Sequence, residues 1–438
     1  MMRTETTSLT YLDILREELV PAMGCTEPIA LAYAAAKARA VLGVLPSKVS
    51  VQVSGNIIKN AKSVVVPHTG GLKGMKAAVA AGLVCGDSKR RLEVLSQVHK
   101  DQYKEITAFL ELDSITVEPL ESDLTFDLIL TLWAGAQKVK IRLSHFHTNI
   151  VYLEKNGHTL IEKNIQKASA GTSKDSRETL TISSIVNFAE NLNVEDVKDV
   201  LERQVTYNSR IAGEGLKGAW GANIGSVLLK TWGNDVKIRA KAMAAAGSDA
   251  RMGGCELPVV IVTGSGNQGM TTSLPVVEYA KELESSPDDL FRALVVANLV
   301  AVHLKSGIGW LSAFCGAVSA GAGAAAGIAW LHGGRTDVIS HTIANTLGSV
   351  SGMVCDGAKP ACASKIAASV EAGILGFHMA QQGHNLKGGD GLVNSSIETT
   401  IDNIARLGRI GMRETDKEIL QMMLEGDQVE PASNSQVI

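Results

Sequence analysis

Apolar residues recur along this chain with two different periods, and the change between them divides it. Near the start, Leu12, Leu15 and Leu19 share one helical face, Thr10 with Asp13 three residues later resembles a capping box, and Pro21 closes the helix. A second helix is predicted in GCTEPIALAYAAAKARAVLG, with Thr26 as its cap, Pro28 in its first turn and Gly43 at its end. From Ser47 to Glu162 the period falls to two, in VSVQVS, KSVVVP, DSITVEP, DLILTL, QKVKIRLS and TNIVYLEK. Asn156-Gly157 then predicts a hairpin into HTLIEK. One Gly-rich loop and Ala-rich helix, HTGGLKGMKAAVAAGLVCGD, interrupts the strands. After Lys163 the helical period returns in SKDSRETLTISSIVNFAENL, VEDVKDVLERQV, PDDLFRALVVANLVAVHL and SSIETTIDNIARLGRIGM, before a polar, frayed tail, GDQVEPASNSQVI. The expectation is an α+β protein: a mixed α/β domain over 1–163 packed on a mostly α-helical domain over 164–438.

Composition narrows the function. Lys plus Arg number 42 against 45 Asp plus Glu, a net charge of -3 with no basic run, which excludes nucleic acid as the expected partner. The first residues are acidic and amphipathic, unlike a secretory signal or transit peptide, so the expected location is the cytoplasm. From Ser306 to Gly334 there is no charged residue, and Gly323 and Gly327 form a GxxxG. The run is mostly Ala, Gly and Ser, so it reads as a buried helix or helix pair and not as a membrane span.

The six cysteines, in a reducing compartment, are left with burial, metal binding or catalysis. Cys85, after GLV at the end of an Ala-rich helix, and Cys255, in RMGGCELP, read as small buried hydrophobes. Cys355 and Cys362 sit in a Gly/Pro/Asp loop, VCDGAKPAC, between two predicted helices, and Cys315 heads the charge-free run. Three thiolates suit a Cys-ligated zinc or an iron–sulfur cluster, but His332 and His341 offer no finger spacing for a fourth zinc ligand. A four-iron cluster on three thiolates leaves one iron open as a Lewis acid. Spacing alone does not separate this from three independent buried thiols. Cys25, just before Thr26, lies where a helix N-terminus lowers a thiol pKa, which suits a base or nucleophile; the alternative is a cysteine that merely packs there.

Gly24-Cys25-Thr26-Glu27-Pro28, together with Cys315, Cys355 and Cys362 in that order and spacing, resembles the L-cysteine desulfidase family, relatives of the iron–sulfur-dependent L-serine dehydratases. The resemblance runs nearly the full length: the mixed part looks like the dehydratase β-type segment, and the helical part, with GSGNQG and VCDGAKPAC, like the α-type catalytic segment. Two departures from the serine enzymes favour the desulfidase side: a shorter gap between the last two cysteines, and GCTEP in place of a Ser/His-rich motif. The resemblance implies that Cys25 is the proton-transferring base and that Cys315, Cys355 and Cys362 hold a [4Fe–4S] cluster. It implies conversion of L-cysteine and water to pyruvate, ammonia and sulfide without pyridoxal phosphate. The same chemistry on L-serine or another β-substituted amino acid is one alternative, and a non-catalytic iron–sulfur redox sensor is another.

An amino-acid substrate brings a carboxylate, and two Gly-rich loops could present N–H groups to it: His68, Thr69 and Gly70 in HTGG, and Ser265, Gly266 and Asn267 in GSGNQG. The second loop lacks the βαβ context of a dinucleotide fingerprint, and a helix start is expected after it at Thr271 to Ser273. Thr26 and Glu27, beside Cys25, are further substrate-binding candidates. His147, Asn56 and Lys59 are loop or strand-end polar groups near the same expected cleft, and Asp356 is expected to cap the helix after the cluster loop. The expected partners are a small amino acid, with no nucleic acid and no membrane; a homo-oligomer is left open.

Overall fold

The computed structural model describes residues 2–165, 177 and 179–425. Its strand-rich part is a six-stranded sheet built from β2 (Lys48–Val53), β3 (Ile115–Pro119), β4 (Asp127–Ala134), β5 (Gln137–Ser144), β6 (Ile150–Lys155) and β7 (His158–Glu162), in the order β3-β2-β4-β5-β6-β7. β2 runs parallel to β3, and every other pairing is antiparallel. The parallel pair needs a crossover, supplied by α3 (Gly55–Ala61), α4 (Gly74–Val84) and α5 (Tyr103–Glu111). The last pair is the expected hairpin: Asn156 and Gly157 both take positive φ, 51° and 84°, as a two-residue turn of this type requires.

The alternation read from sequence is the alternation of burial. Val49, Val51 and Val53 of β2 and Val139, Ile141 and Leu143 of β5 are all buried, and α2 (Thr26–Leu42) with α4 packs nearby over the sheet. Each such side chain contributes on the order of 1.5–3 kcal/mol. KSVVVP, however, forms no strand. Val66 donates to Leu72 O at 2.9 Å and Gly74 to Val64 O at 3.0 Å, so this stretch closes on itself around HTGG.

The helix α1 (Met2–Glu18) begins before Thr10, which therefore lies inside it and does not cap it. After α1, β1 (Pro21–Met23) pairs antiparallel with β8 (Pro258–Val260), the start of the apolar run PVVIV. Tyr11 and Glu18 of α1 also reach across, to Ser184 at 2.7 Å and Arg177 at 2.6 Å. The first two dozen residues thus pack on the helical part, across the 163/164 boundary.

That part contains α6 (Ile182–Asn191), α7 (Lys198–Gly215), α8 (Ile224–Trp232), α9 (Val236–Met252), α10 (Gly266–Glu282), α11 (Pro287–Ile308), α12 (Gly316–Leu331), α13 (Thr336–Val350), α14 (Cys362–Gln381), α15 (Ile397–Arg406) and α16 (Arg413–Glu425). The chain is α+β, and most buried side chains of sheet and helices form one continuous core, beside a small second cluster of Leu228, Ala242, Ala245, Ala363 and Ala367. Residues 173–176 and 178 of the helix expected in SKDSRETLTISSIVNFAENL, and the tail from 426, lie outside the described residues.

The charge-free run is the end of α11, a loop and α12. A Cβ on Gly323 or Gly327 would come within 2.5 and 2.8 Å of the carbonyls of Ala297 and Ala293, so the GxxxG lets α12 lie against α11 inside the protein. Among the described residues α11 is the one helix long and apolar enough to cross a membrane, and most of it is buried in this fold.

Candidate active site

Four helices begin at one cavity of about 120 Å³. Cys25 is the N-cap of α2, with extended backbone (φ −79°, ψ 134°), so Thr26 is the first helical residue and not the cap. Ser265 is the N-cap of α10, its side chain accepting from Gln268 N at 3.5 Å. Cys315 is the N-cap of α12, and Cys362 is the first residue of α14. All four residues line the cavity, together with Cys355, Lys59 of α3, Arg251 of α9 and Lys305 of α11. Converging helix N-termini, with Lys59, Arg251 and Lys305 on the wall, offer an anionic guest N–H groups and positive charge.

At one end lies Cys25, 2% exposed, whose Sγ donates to Glu27 Oε2 at 3.2 Å and to Asn60 O at 3.7 Å. Glu27 also accepts from Thr26 Oγ1 and Asn60 Nδ2, each at 3.0 Å, and His147 Nε2 stands 3.8 Å from Oε1. The expected lowering of the Cys25 pKa is overturned. Burial first, and then the Glu27 carboxylate, push the thiol well above its ordinary range, and Arg251 does not offset them. Burial also opposes ionisation of Glu27, but His147 and the Cys25 thiol outweigh it and hold the carboxyl at about 2. The His147 contact is too long for a hydrogen bond, so the direction of that shift rests on the donors at 3.0–3.2 Å, with His147 adding charge when protonated. The resting pair is therefore a protonated thiol against an ionised carboxylate.

At the other end, Cys315 N donates to Met353 O (2.9 Å) and Cys355 N to Ala313 O (2.7 Å), around an antiparallel bridge between Phe314 and Val354. These bonds hold the two thiols side by side. The Cys315 thiol beside it lowers the Cys355 pKa against the effect of burial, helped by Lys59, the Gly357 N–H and Lys305, while Cys315 is raised in turn. Gly357, at φ 96°, presses on Lys59 O, where a Cβ would come within 2.3 Å; the tight turn in VCDGAKPAC needs that glycine. Cys362 Sγ donates to Gly357 O at 3.5 Å and accepts from Lys359 N at 3.4 Å. Asp356 does not cap α14 but pairs with Lys365 at 2.5 Å. Lys59 is paired with Asp416 at 2.5 Å, whereas burial lowers the Lys305 pKa to about 8.

Three thiols therefore share one cavity wall. Among the described residues no three His, Cys, Asp or Glu side chains converge on a single metal ion, which argues against mononuclear zinc. Thiols spread around a cavity, with lysines beside them to balance charge, fit a polynuclear cluster in which different metal atoms take different thiolates.

Of the residues anticipated from sequence, Thr26, Glu27, Ser265 and Asn267 line this cavity with the four thiols, as do His147, Asn56 and Lys59. Gly266 lies behind it against Arg251 and Val259. α10 begins at Gly266, five residues before the expected Thr271, because the Ser265 cap draws GNQG into the first turn. His68, Thr69 and Gly70 are elsewhere: Thr69 donates to Val66 O (2.7 Å), His68 N to Glu256 Oε1 (3.1 Å), and Gly70 borders a separate open cleft with Tyr103 and Glu256. Cys255 borders that cleft too, and Cys85 is half-buried away from both. Sequence reasoning missed Asn60, Arg251, Thr263 and Lys305. For Arg251 and Lys305 the available signal was a charge within an otherwise apolar helix, in AMAAAGSDARM and LVVANLVAVHLK. Thr263, a β-branched residue at φ 49°, is held by Glu18 at its N–H (3.0 Å) and by Gln268 (2.8 Å), a strained turn at the cavity.

Residues 89–421 match the family model described as the serine dehydratase alpha chain. The chain belongs to that family. The match opens inside the strand-rich part, and the family places this protein among amino-acid lyases. Across nearly its whole length the chain is also similar to UPF0597 proteins. One from Desulfitobacterium hafniense is 57% identical over 415 residues, covering 95% of this chain and 96% of the relative. One from Lachnoclostridium phytofermentans is 49% identical, covering 94% and 99%, and one from Treponema denticola 44%, covering 95% and 97%.

Proposed function

We propose that this protein carries out pyridoxal-phosphate-independent β-elimination of L-cysteine to pyruvate, ammonia and hydrogen sulfide in the reducing cytoplasm, with a [4Fe–4S] cluster on Cys315, Cys355 and Cys362. The supporting observation is one cavity lined by a hydrogen-bonded Cys25–Glu27 pair and by three further thiols. When bound, the cluster supplies a Lewis-acidic iron that polarises the β-substituent.

The chain's own residues supply the proton chemistry. A Cys25 thiolate, its proton lost to solvent before substrate closes the cavity, takes the proton from Cα, and the ionised Glu27 fixes the position of Sγ through the hydrogen bond it accepts from the thiol. Because burial raises the thiol pKa, the thiolate is scarce but strongly basic, as removal of a weakly acidic C–H demands. His147 stands close enough to steady the charge on Glu27. The first turn of α10, with Ser265 and Asn267 on the cavity wall, receives the substrate carboxylate, and Arg251, donating to Asn267 Oδ1 at 3.1 Å, orients that turn. The enamine left by elimination hydrolyses to pyruvate and ammonia.

L-Serine is the second reading, favoured by the description of the matching family. The deciding experiment is pyruvate and sulfide release from L-cysteine and L-serine by protein purified and cluster-reconstituted without oxygen. Faster turnover of L-cysteine, with sulfide equal to pyruvate, is the expected result. Faster turnover of L-serine would transfer the assignment to dehydration, and pyruvate from neither would remove it.

A further inference from the structure

A second cavity, of about 740 Å³, meets the first along a shared wall of Asn56, Lys59, Leu311 and Ser312. Its far side is α16, which contributes Arg413, Asp416 and Lys417. On the shared wall a carboxylate is already held. Asp416 Oδ1 accepts from Lys59 Nζ at 2.5 Å and its Oδ2 from Asn56 Nδ2 at 2.9 Å, so both oxygens meet donors three residues apart on one face of α3. Lys59 is 2% exposed, whereas Asp416 is 21% exposed and belongs to a helix with no buried residue. The donors are rooted in the interior and the carboxylate is not.

Asn56 carries a second, independent sign. Its Oδ1 is buried and has no hydrogen-bond partner among the described residues, a costly state for an amide oxygen, and an ionised Asp416 has no proton to donate to it. An α-amino acid satisfies all three groups at once. Its carboxylate takes the place of Asp416 on Lys59 Nζ and Asn56 Nδ2, and its ammonium donates to Asn56 Oδ1. We propose that Lys59 and Asn56 form an entry site for a free α-amino acid between the two cavities, and that α16 is the lid that closes it through Asp416. The choice of an amino acid rests on the β-elimination reading; the affinity for a carboxylate does not. Besides Asp416, α16 is fastened to α3 by Lys62 Nζ, which donates to Met423 O at 3.0 Å, and by Leu420, which fills the space beside Gly55 where a Cβ would come within 2.4 Å of it. One π-helical turn, Leu407–Gly411, joins the lid to α15, and helices bend at such turns. Opening exchanges one carboxylate on Lys59 for another, so the buried ammonium is not left unpaired. Arg409 and Arg413 line the second cavity and add positive charge along the approach.

The site is tested by calorimetric titration of protein purified without oxygen. The probes are L-alanine, which has no β-substituent to lose, and propionate, which lacks the ammonium. Asp416→Asn removes the competing charge and is expected to tighten L-alanine binding about 10-fold, because a larger fraction of the protein has the site open. Lys59→Met added to Asp416→Asn should abolish that gain, and Asp416→Asn should bind L-alanine several-fold more tightly than propionate. Hydrogen exchange over residues 413–425 of wild type needs no variant: saturating L-alanine should speed it several-fold, since the ligand displaces Asp416 and frees α16. Unchanged L-alanine affinity in a folded Asp416→Asn overturns the proposal, and so does exchange in α16 that L-alanine leaves unchanged or slows. Equal affinity for L-alanine and propionate overturns the assignment to amino acids. If wild type forms pyruvate from neither L-cysteine nor L-serine, the β-elimination reading fails, and the titrations and the exchange still decide the entry site.

Discussion

Cys25 and Cys315 occupy equivalent places in the fold, each the N-cap of a long helix opening on the same cavity, yet they live in different electrostatic worlds. Cys25 faces a carboxylate two residues away and keeps its proton. Cys315 lies beside Cys355, whose negative charge is supported by Lys59 and Lys305, so the first proton of that pair leaves easily. A helix N-terminus does not by itself decide the state of a thiol. Burial penalises the thiolate at both ends, and the sign of the nearest fixed charge decides which end overcomes it. One end thereby keeps a thiol proton against a carboxylate, and the other holds a thiol that ionises readily beside two lysines.

The contrast breaks most sharply at Cys25. Cys25→Ala is expected to cut pyruvate formation by about 10²–10⁴-fold, the usual range for a positioned general base, while iron and sulfide content stay at wild-type levels. If cluster content fell in step with activity, Cys25 would belong with the other three thiols and the contrast between the two ends would be lost.

Glu27→Gln sharpens the same contrast, because it leaves Cys25 in place and removes its charge partner. Turnover is expected to fall about 10²-fold because Sγ loses the charged acceptor that positions it. The Cys25 thiol should nevertheless ionise at lower pH, since the Glu27 charge now raises it; iodoacetamide labelling of the Cys25 peptide across pH reads this directly. The same carboxyl sets an acid limb of stability. Its pKa lies near 2 in the folded state against an ordinary 4.5, so its contribution is complete above the ordinary value and lost as pH falls toward 2. At roughly 1.4 kcal/mol per unit this amounts to about 3 kcal/mol, and thermal melts of the variant should show a shallower acid limb.

Much of this arrangement was readable before any coordinates. Five of the six period-two segments are strands of the sheet, because alternation and a half-buried sheet are the same fact seen twice, and Asn156-Gly157 marks the hairpin into the sixth strand. The order Cys25, Cys315, Cys355, Cys362 identified four residues that do share one cavity. What stayed hidden depends on groups distant in sequence. KSVVVP has strand composition, but its hydrogen bonds close locally across the HTGG turn. The state of Cys25 turns on Asn60 and Glu27 as much as on its helix, and the setting of Lys305 is made by thiols distant in sequence. Charge compensation is a property of the packed interior and leaves little trace in local pattern.

A smaller effect is expected where α16 is fastened over α3. Asp416 accepts from Lys59 at 2.5 Å and from Asn56 at 2.9 Å, tying the C-terminal helix to the residues that carry one wall of the cavity. Asp416 is partly exposed, so Asp416→Asn should cost about 1–3 kcal/mol, as for one hydrogen bond to a charged group, read as a lower Tm. Freed from Asp416, Lys59 should support the Cys355 thiolate more strongly, shifting the thiol end of the cavity further from the Cys25 end.

The smallest effect separates the cavity from the loop that resembled it in sequence. HTGG and GSGNQG are both Gly-rich turns that could offer N–H groups to a carboxylate, but only the second opens a helix at the cavity. His68 stands with Glu256 at a different cleft, with Nδ1 3.7 Å from its carboxylate. An exposed pair of this kind contributes about 0–1 kcal/mol, so His68→Ala should change kcat/KM for the amino-acid substrate by less than about twofold. Ser265→Ala, by contrast, removes the cap of α10 and should raise KM several-fold, since the first turn that receives the carboxylate loses its anchor. Equal effects from the two variants would mean that the substrate reaches both loops and that the chamber extends well past Cys25.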